Sequence, residues 1–333
     1  MSYLKDLISN ITSNKVYIQT HDFPDPDAVA SAFGLQRLLQ NYNIEATICY
    51  KGKIDRYNTR KMMELFDIKA VNIDRMAELP VGAQVILIDA QKNSGNIYDL
   101  PCDKVISIDH HPIVQYYPYI YADIRGSVGA CASIIASYYF NNSVPMSEEV
   151  ATALLYGIKI DTAQLTRSVS PLDLEMFSQM FYKTNKKYMN ELESSTIEVE
   201  DLQAYASAIS SITIEDCVSF ANTGRDCPEA LIAEIADFMV TVNGVNLAVV
   251  YSVRTEGIKI SIRCDKKSGC HAGRIVVEAL EGIGTGGGHS LMAGGYISLR
   301  NRMESVETLL EIVRENFKRI VVGNLEKTKE VAI

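Results

Sequence analysis

Short apolar runs alternate with longer amphipathic stretches through the first half of the chain. Five of these runs have the length and composition of β-strands: KVYIQT (15–20), EATICY (45–50), QVILID (84–89), KVISID (104–109) and YIYADI (119–124). A helical pattern, AVASAFGLQRLLQNY (28–42), lies between the first two. Strands that alternate with helices predict a parallel sheet, and strands this apolar are covered by helices on both faces. We therefore predict an α/β domain over residues 1–185.

The pattern changes in the second half. From Pro171 onward it becomes helical and charged, and we place a helical linker at residues 186–204. New strand patterns follow at 246–254 and 257–263, and then a helix at 273–282. The chain is therefore predicted to end in a smaller α/β domain, residues 205–333, without internal repeats.

Composition limits the classes of function. The chain has 32 Lys and Arg against 41 Asp and Glu, a net charge of -9, which argues against a protein that coats long nucleic acid. Its seven cysteines include no C-x-x-C pair, so neither a disulfide framework nor a zinc knuckle is expected. The sequence has no signal-type apolar run and no uncharged stretch long enough to cross a bilayer. We expect a cytoplasmic protein that does not contact a membrane.

Acidic and imidazole side chains follow several of the predicted strands. In an α/β fold the carboxyl ends of the strands meet at one edge, where ligands collect. Carboxylates gathered there raise one another's pKa unless cations neutralise them, so the cluster predicts divalent metal. Mixed imidazole and carboxylate ligands suit manganese or a similar ion, and two ions about 3.5–4 Å apart fit phosphoryl hydrolysis. The residues concerned are His21, Asp25, Asp27, Asp89, Asp109, His110 and His111, together with Asp161, which follows the helical stretch EEVATALLYGIKI (148–160).

Each of these pieces has an ordinary structural explanation when taken alone. Proline and aspartate are common in turns, so HDFPDPD (21–27) could be a surface loop. Asp89 or Asp161 alone could cap a helix. The run TGGGHSLMAGGY (285–296) could be a flexible turn, or backbone that approaches a ligand closely. The joint occurrence favours chemistry, because four of the five histidines fall in these clusters and in the glycine run.

The motifs HDFPDPDA, LIDAQ, ISIDHHP and GIKIDTAQLTR, in that order, resemble the four motifs of the DHH phosphoesterase family. The later GGGHSLMAGG resembles the signature of the DHH-associated C-terminal domain, so that the resemblance spans roughly residues 15–297. The motifs are most similar to those of the oligoribonuclease and phosphoadenosine-phosphate phosphatase type. The resemblance implies a metal-binding domain, a helical linker and a substrate-binding domain, with the active site in the cleft between the domains.

The resemblance also implies a role for each motif residue in the first domain. One ion would be held by His21, Asp25 and Asp89. The second ion would be held by Asp27, Asp89, His110 and Asp161, which makes Asp89 the bridge. Asp109 would orient a ligand histidine, and His111 would face the substrate phosphate and help the leaving oxygen depart. The expected cofactor is a pair of Mn²⁺ ions, with Mg²⁺ or Co²⁺ as alternatives.

Substrate binding is assigned to the second domain. By resemblance, Arg263 and His289 would contact the substrate end remote from the ions, and the backbone amides of Gly286, Gly287 and Gly288 would approach a phosphate or sugar. Six Lys or Arg between positions 254 and 274 against two acids make this segment +4, which predicts a basic pocket.

The predicted substrates are short single-stranded oligonucleotides or nucleotide phosphates such as 3'-phosphoadenosine 5'-phosphate. A hydroxide between the two ions would attack the phosphorus, so the chain is predicted to be a manganese-dependent exoribonuclease or phosphatase. Long nucleic acid is expected to fit poorly, and a homodimer is compatible with the sequence.

Several alternatives remain open at this stage. An inorganic pyrophosphatase, an exopolyphosphatase or a cyclic-dinucleotide phosphodiesterase would use the same metal motifs, and a nucleotide-sensing module without activity is a further alternative. Residues 282–287 satisfy G-x-G-x-x-G, but a dinucleotide-binding fingerprint follows a strand whereas this one follows a predicted helix. Pro26 stands where glycine is frequent in the family, and Leu291 and Met292 replace smaller or more polar residues. We therefore expect a pocket of different shape.

Overall fold

The computed structural model describes residues 3–76, 78–80, 82–113, 115–194, 197–300 and 302–331, with side chains described as far as Gly323. The chain divides into two compact units, Met1–Thr196 and Ile197–Ile333. Each unit has its own sheet and its own apolar core, which confirms the predicted two-domain α/β fold. The bounds predicted for the domains and linker stay a prediction, and residues 195 and 196 of that linker lie outside the described residues.

Unit 1 is built on a parallel sheet. Its strands are β1 (Lys15–Thr20), β2 (Glu45–Tyr50), β3 (Ala70–Asn72), β4 (Gln84–Ile88), β5 (Lys104–Asp109) and β6 (Tyr121–Ile124). They lie in the order β3-β2-β1-β4-β5-β6. This order reverses between β1 and β4, and open α/β sheets bind ligands beyond the carboxyl ends of their strands at such a reversal.

The helices of unit 1 pack against this sheet and against one another. They are α1 (Tyr3–Ser9), α2 (Pro26–Gln40), α3 (Tyr57–Leu65), α4 (Cys131–Asn141), α5 (Glu148–Asp161), α6 (Pro171–Phe181) and α7 (Lys186–Glu193), with a short 3₁₀ helix at Ile73–Arg75. Helix α2 is buried along ten consecutive residues from its start, as expected of a helix without a polar face. It begins two residues before the predicted helix because Asp25 caps it and Pro26 fits its first turn.

Unit 2 is built on a mixed sheet. Its strands are β7 (Thr213–Glu215), β8 (Val218–Arg225), β9 (Leu247–Val253), β10 (Gly257–Cys264), β11 (Thr285–Gly288) and β12 (Met292–Ser298). They lie in the order β11-β12-β10-β9-β8-β7, antiparallel except for the β8 and β9 pair. Its helices are α8 (Leu202–Ser211), α9 (Glu229–Met239), α10 (Ala272–Ala279) and α11 (Val306–Val331), with a 3₁₀ helix at Lys266–Ser268.

Alternate residues of β9 serve two separate apolar clusters in unit 2. Leu247 and Val249 pack in the cluster that includes α10 and α11, whereas Ala248 and Val250 pack in the cluster that includes α8 and α9. This is the two-residue period of a strand covered on both faces. Side chains of β10 that point away from α10 therefore lie on the α9 side of the sheet.

Candidate metal centre

Four segments of unit 1 bring their acidic and imidazole side chains together. His21 follows β1, Asp89 follows β4, His110 follows β5, and Asp161 is the last residue of α5. His21 Nε2 lies 3.6 Å from Asp89 Oδ2 and 3.9 Å from Asp25 Oδ1. His110 Nε2 lies 3.3 Å from both Asp89 Oδ1 and Asp161 Oδ2. The cluster therefore forms where the strand order reverses.

The ligand atoms fall into three overlapping groups, each with its atoms within 4.8 Å of one another. The groups are His21, Asp25 and Asp89; Asp89, His110 and His111; and Asp27, His110 and Asp161. The first is the set that the resemblance implied for one ion, and Asp89 is shared between two groups. Asp89 is not in the group with Asp27 and Asp161, although its Oδ1 lies 3.3 Å from His110 Nε2. The division of ligands between two ions stays a prediction.

Asp89 occupies the middle of the cluster in an unusual conformation. Its φ is +57°, in the left-handed region, and its backbone N–H donates to Ile108 O at 2.9 Å. The carboxylate is buried, and Oδ1 accepts no hydrogen bond from the described residues. A buried carboxylate oxygen without a donor is costly unless a cation lies beside it. This oxygen, among imidazole nitrogens and other carboxylates, fits a first-row divalent ion.

Asp27 is fixed by the start of a neighbouring helix. The backbone N–H groups of Cys131 and Ala132 donate to Asp27 Oδ2 and Oδ1 at 2.7 and 2.9 Å. These amides begin α4, where N–H groups without intrahelical acceptors bind anions well. On its other side Asp27 lies against Gly157 of α5, because a Cβ at Gly157 would be 3.0 Å from Asp27 Oδ1. The carboxylate is thus held in place without any cation.

Asp109 links His111 to the rest of the sheet. Asp109 Oδ1 lies 2.9 Å from His111 Nδ1 and accepts the backbone N–H of His110 at 2.8 Å. Asp109 Oδ2 accepts a hydrogen bond from Gln91 Nε2 at 2.7 Å. A carboxylate in this position fixes the tautomer and the orientation of the imidazole. The imidazole that Asp109 contacts is that of His111, whereas the resemblance implied a ligand histidine, so the role of Asp109 stays a prediction.

The protonation of the cluster shows how strongly its charges interact. Burial alone would lower the pKa of His21, but the carboxylates of Asp25 and Asp89 more than offset it and raise that pKa to about 9. Burial raises the pKa of Asp161 to about 6, and burial with the nearby Asp89 charge raises the pKa of Asp27 well above its usual range. Without cations Asp27 and Asp161 thus hold their protons to a higher pH than ordinary carboxyl groups, which is the electrostatic cost that divalent ions would remove.

An unusual turn follows Asp161. Ala163, Gln164 and Leu165 all have positive φ, between +46° and +60°, although none of them is glycine. Arg167 closes the turn, because its Nη2 donates to the backbone oxygen of Asp161 at 3.0 Å. Left-handed residues normally occur singly, so three in succession are a strained arrangement that the surrounding contacts must hold.

Several residues with a structural role at the site carry no sequence signal of that role. Gln91 and Arg167 lie within the quoted motifs, but the sequence does not show their contacts. Gln91 donates to Asp109, and Arg167 donates to the backbone oxygen of Asp161. Gly157 is the first residue of the motif GIKIDTAQLTR, but its position in the sequence does not show that it faces Asp27. Asp173 forms the capping box of α6 with Ser170 and also accepts the N–H of Gly129 at 2.8 Å, two residues before the amides that hold Asp27. Only the fold shows these contacts.

The predicted substrate-binding residues all line one pocket of unit 2. The pocket has a volume of about 600 Å³, and its walls include Arg263 from β10, the glycines 286–288 of β11, and His289. Arg263 donates to both carboxylate oxygens of Asp237 at 2.7 and 3.1 Å, and Lys259 Nζ lies 2.8 Å from a carboxylate oxygen of Glu229. The pocket is therefore less basic than the sequence predicts. The charges of Arg263 and Lys259 are offset by Asp237 and Glu229, acids of α9 that lie outside the counted segment 254–274.

The glycine run forms an edge strand rather than a loose turn. A Cβ on Gly286 would lie 2.7 Å from Val276, and a Cβ on Gly288 would lie 2.5 Å from Ala293 Cα. These two glycines are therefore required for packing. A Cβ on Gly287 would meet no atom within 4 Å, so Gly287 alone leaves space for a ligand. Because alternate residues of a strand face opposite sides, Gly287 faces away from α10 and toward the pocket with Arg263.

The same region excludes the dinucleotide fingerprint. Gly282 follows α10, and Thr285–Gly288 is a strand, so the glycines do not lie between a strand and a following helix.

In the part of the chain that the structure describes, helices of sufficient length and apolarity for a membrane span are absent.

Comparison with known proteins matches both halves of the chain. Residues 15–158 match the N-terminal domain of the DHH family, and residues 202–319 match the DHHA1 domain. A solved structure of an exopolyphosphatase-related protein from Bacteroides fragilis has a TM-score of 0.76 at 16% sequence identity, and the match covers 97% of both chains. That likeness concerns the fold alone.

Three curated relatives differ in what they share with this chain. An uncharacterized protein of Methanocaldococcus jannaschii is 30% identical over 318 residues, 94% of this chain and 65% of that protein. A probable manganese-dependent inorganic pyrophosphatase of Streptococcus thermophilus is 28% identical over 154 residues, 46% of this chain and 49% of its own. The chain thus spans less than two thirds of these two relatives. The bifunctional oligoribonuclease and PAP phosphatase NrnA of Thermus thermophilus is 25% identical over 309 residues, 91% of this chain and 90% of its own.

Proposed function

The chain belongs to the DHH family of phosphoesterases, with a DHHA1 domain after the DHH domain, and from this premise we propose that it hydrolyses short oligonucleotides or 3'-phosphoadenosine 5'-phosphate with two manganese ions. The observation that carries the proposal is the buried Asp89 carboxylate, shared by two ligand groups and left with one oxygen that accepts no hydrogen bond from the described residues. When bound, two divalent cations supply an activated water and neutralise charge on the phosphoryl oxygens.

The protein's own residues would position these components. Asp27 would present its carboxylate from a fixed orientation, because the amides of Cys131 and Ala132 hold both of its oxygens. His111 Nδ1 faces Asp109, so Nε2 is the nitrogen that would give a proton to the leaving oxygen. Such a proton transfer assists departure of an alkoxide, as in cleavage of a phosphodiester.

Two observations favour a nucleotide substrate over pyrophosphate. The pocket that contains Gly287 and His289 lies in unit 2, and a pocket of about 600 Å³ is of the size that binds small organic ligands. The Thermus oligoribonuclease aligns with 91% of this chain, whereas the Streptococcus pyrophosphatase aligns with 46%. The similarity to the nucleotide-cleaving relative therefore extends over residues that the pyrophosphatase match leaves uncovered.

The proposal is tested by a manganese-supplemented assay over a panel of substrates. The panel contains 3'-phosphoadenosine 5'-phosphate, RNAs and DNAs of two to five nucleotides, a long single strand, a cyclic dinucleotide and pyrophosphate. We expect the shortest RNAs to give the highest kcat/KM and the long strand the lowest among the RNAs. Hydrolysis of pyrophosphate with none of the nucleotides would overturn the proposal.

Asp89→Ala tests the metal assignment. Turnover should fall to background, because two ligand groups lose their shared carboxylate, and the fold should survive. Asp67→Ala is a matched control, since Asp67 also has a left-handed φ, +48°, but its side chain is exposed. Near-normal activity of Asp89→Ala with added manganese would contradict the assignment.

Gly287→Val tests the pocket of unit 2 without disturbing a packed contact. The new side chain should enter the pocket and raise KM for a dinucleotide, while hydrolysis of a small artificial ester and the melting temperature stay unchanged. Gly287 is a better test than Arg263, because removing Arg263 also breaks its ion pair with Asp237. Equal losses of activity on the dinucleotide and on the small ester would show that the pocket does not bind the dinucleotide.

A further inference from the structure

An aromatic residue lies exposed beside the candidate metal centre in a strained conformation. Phe23 is 59% exposed, and its φ is +56°. A left-handed backbone is unfavourable for a bulky residue, and a ring that is 59% exposed gains only part of its burial energy in return. Phe23 lies two residues after His21 and two before Asp25, so a cost is incurred to hold an exposed ring at the ligand loop.

The loop that carries Phe23 is tied to its neighbours on both sides. The backbone N–H of Phe23 donates to Lys51 O at 3.0 Å. The N–H of Asp22 donates to Asn96 O at 2.8 Å, and Asp22 Oδ1 accepts the N–H of Tyr98 at 2.9 Å. These bonds fix the backbone that sets the direction of the ring.

The ring itself rests on a glycine. Gly52, with φ of +82°, lies so close that a Cβ there would be 2.9 Å from two ring atoms of Phe23 and 3.0 Å from a third. Any other residue at this position would displace the ring. One part of the ring is thus supported by backbone, and the exposed remainder faces solvent.

The surroundings of Phe23 have the character of a surface that binds nucleobases. The Lys51 ammonium lies 4.6 Å from the centre of the Tyr98 ring, and Tyr98 is itself 44% exposed. Lys51 is also paired with Asp74, whose Oδ1 lies 2.5 Å from the Lys51 Nζ. Aromatic rings together with cations are what proteins use to stack bases without regard to sequence.

We propose that the ring of Phe23 stacks against a nucleobase of the substrate whose phosphate lies at the candidate metal centre. Since each residue advances the chain by at most about 3.6 Å, the Cα of Phe23 is within about 7 Å of those of His21 and Asp25. That is the scale on which a base and its own phosphate are separated. The inference rests on the proposed function and adds that the base, as well as the phosphate, is bound in unit 1.

Phe23→Gly tests the contribution of the ring apart from that of the loop backbone. Glycine accepts positive φ readily, so this variant should keep the conformation of the loop and lose only the ring. Stacking on an aromatic side chain is worth about 1–3 kcal/mol per base, so KM for a dinucleotide should rise roughly 5- to 150-fold. Hydrolysis of pyrophosphate or of a sugar phosphate ester without a base should not change. Phe23→Tyr should restore the dinucleotide KM, whereas Phe23→Leu should not.

Binding can also be measured by fluorescence, because the chain contains no tryptophan that would add a background signal. Phe23→Trp introduces a single indole, and with Mn²⁺ present its fluorescence should be quenched by a dinucleotide with a non-hydrolysable linkage but not by the matching abasic analogue. Tyr182→Trp, at a position 89% exposed on the end of α6, is the control for non-specific quenching.

The outcomes distinguish this inference from the function on which it rests. If the parent protein hydrolyses dinucleotides and Phe23→Gly has an unchanged KM, the stacking role is wrong and the proposed function stands. Equal quenching of Phe23→Trp by the intact and the abasic dinucleotide would also overturn it. If the parent hydrolyses no nucleotide, the proposed function fails on its own assay.

Discussion

Gly157→Ala is expected to weaken metal binding while changing the stability of the fold only slightly. Gly157 lies in α5, where an added Cβ would be 3.0 Å from Asp27 Oδ1, 3.2 Å from Asp27 Cα and 3.2 Å from Ala132 Cβ. At these distances the neighbours must move by a few tenths of an ångström. The atoms that must move are the candidate ligand Asp27 and the helix start that holds it.

The effect on stability should be small because two contributions oppose each other. Alanine is favoured over glycine in a helix by about 1 kcal/mol, whereas overpacking of a tight site costs about 1–3 kcal/mol. The free energy of unfolding should therefore fall by no more than about 2 kcal/mol. Changes to groups that position a ligand weaken metal binding about 10- to 100-fold, which is the loss of Mn²⁺ affinity we expect.

Gly34→Ala is the matched control. Gly34 lies in α2, and a Cβ there would be 3.0 Å from Leu154 Cδ2 and 3.1 Å from Ile135 Cγ2. The contact is as tight as at Gly157, but it is made with the ends of apolar side chains. Calorimetric titration with Mn²⁺ and thermal unfolding in a chelator measure the two effects separately. If both variants lose the same Mn²⁺ affinity, our account of how Asp27 is positioned is wrong.

Three further predictions concern other parts of the molecule. Asp173→Ala should lower the free energy of unfolding in urea by about 3–5 kcal/mol, because buried donors lose a charged acceptor; a loss below about 1 kcal/mol would contradict this. Asp109→Asn should reduce kcat about 10- to 100-fold with Mn²⁺ affinity largely kept, since His111 loses its orienting carboxylate; an unchanged kcat would show that this contact is dispensable. The hydrogen bond from Cys264 lowers the pKa of Cys270 to about 6, so alkylation of Cys270, followed by mass spectrometry, should speed up as pH rises through about 6 and level off above it. Cys264→Ala should move that midpoint upward toward about 8.5, the value of a free thiol, and a parent midpoint already there would refute the hydrogen bond.

The strands and the ligand cluster of unit 1 could be predicted because their signals are local. Buried parallel strands are continuous apolar runs, and β1, β2 and β5 begin and end at the predicted residues. Strand β3 was not predicted, since its three residues are too few to show a pattern. Most of the candidate ligands were found because they lie at or just after the ends of such strands, whereas Asp161 ends a helix.

The rest depends on contacts between residues far apart in sequence. Strand β11 has glycines at three of its four positions, so it shows no alternating pattern of apolar side chains. It is a strand because it pairs with β12. The pairing of Arg263 with Asp237 joins residues 26 positions apart, and a count of local charge cannot include it. In the same way Gly157 matters through the residue that it faces, which only the packing of α5 on α2 decides.

All of the candidate metal ligands belong to unit 1, and the pocket lined by Gly287 belongs to unit 2. If the proposed function holds, the ion ligands and the pocket of unit 2 are encoded in separate stretches of the gene. Recombination that exchanged the second stretch would then change this pocket and leave the ligand cluster and the Phe23 loop in place, so diversification of such proteins need not pass through inactive intermediates.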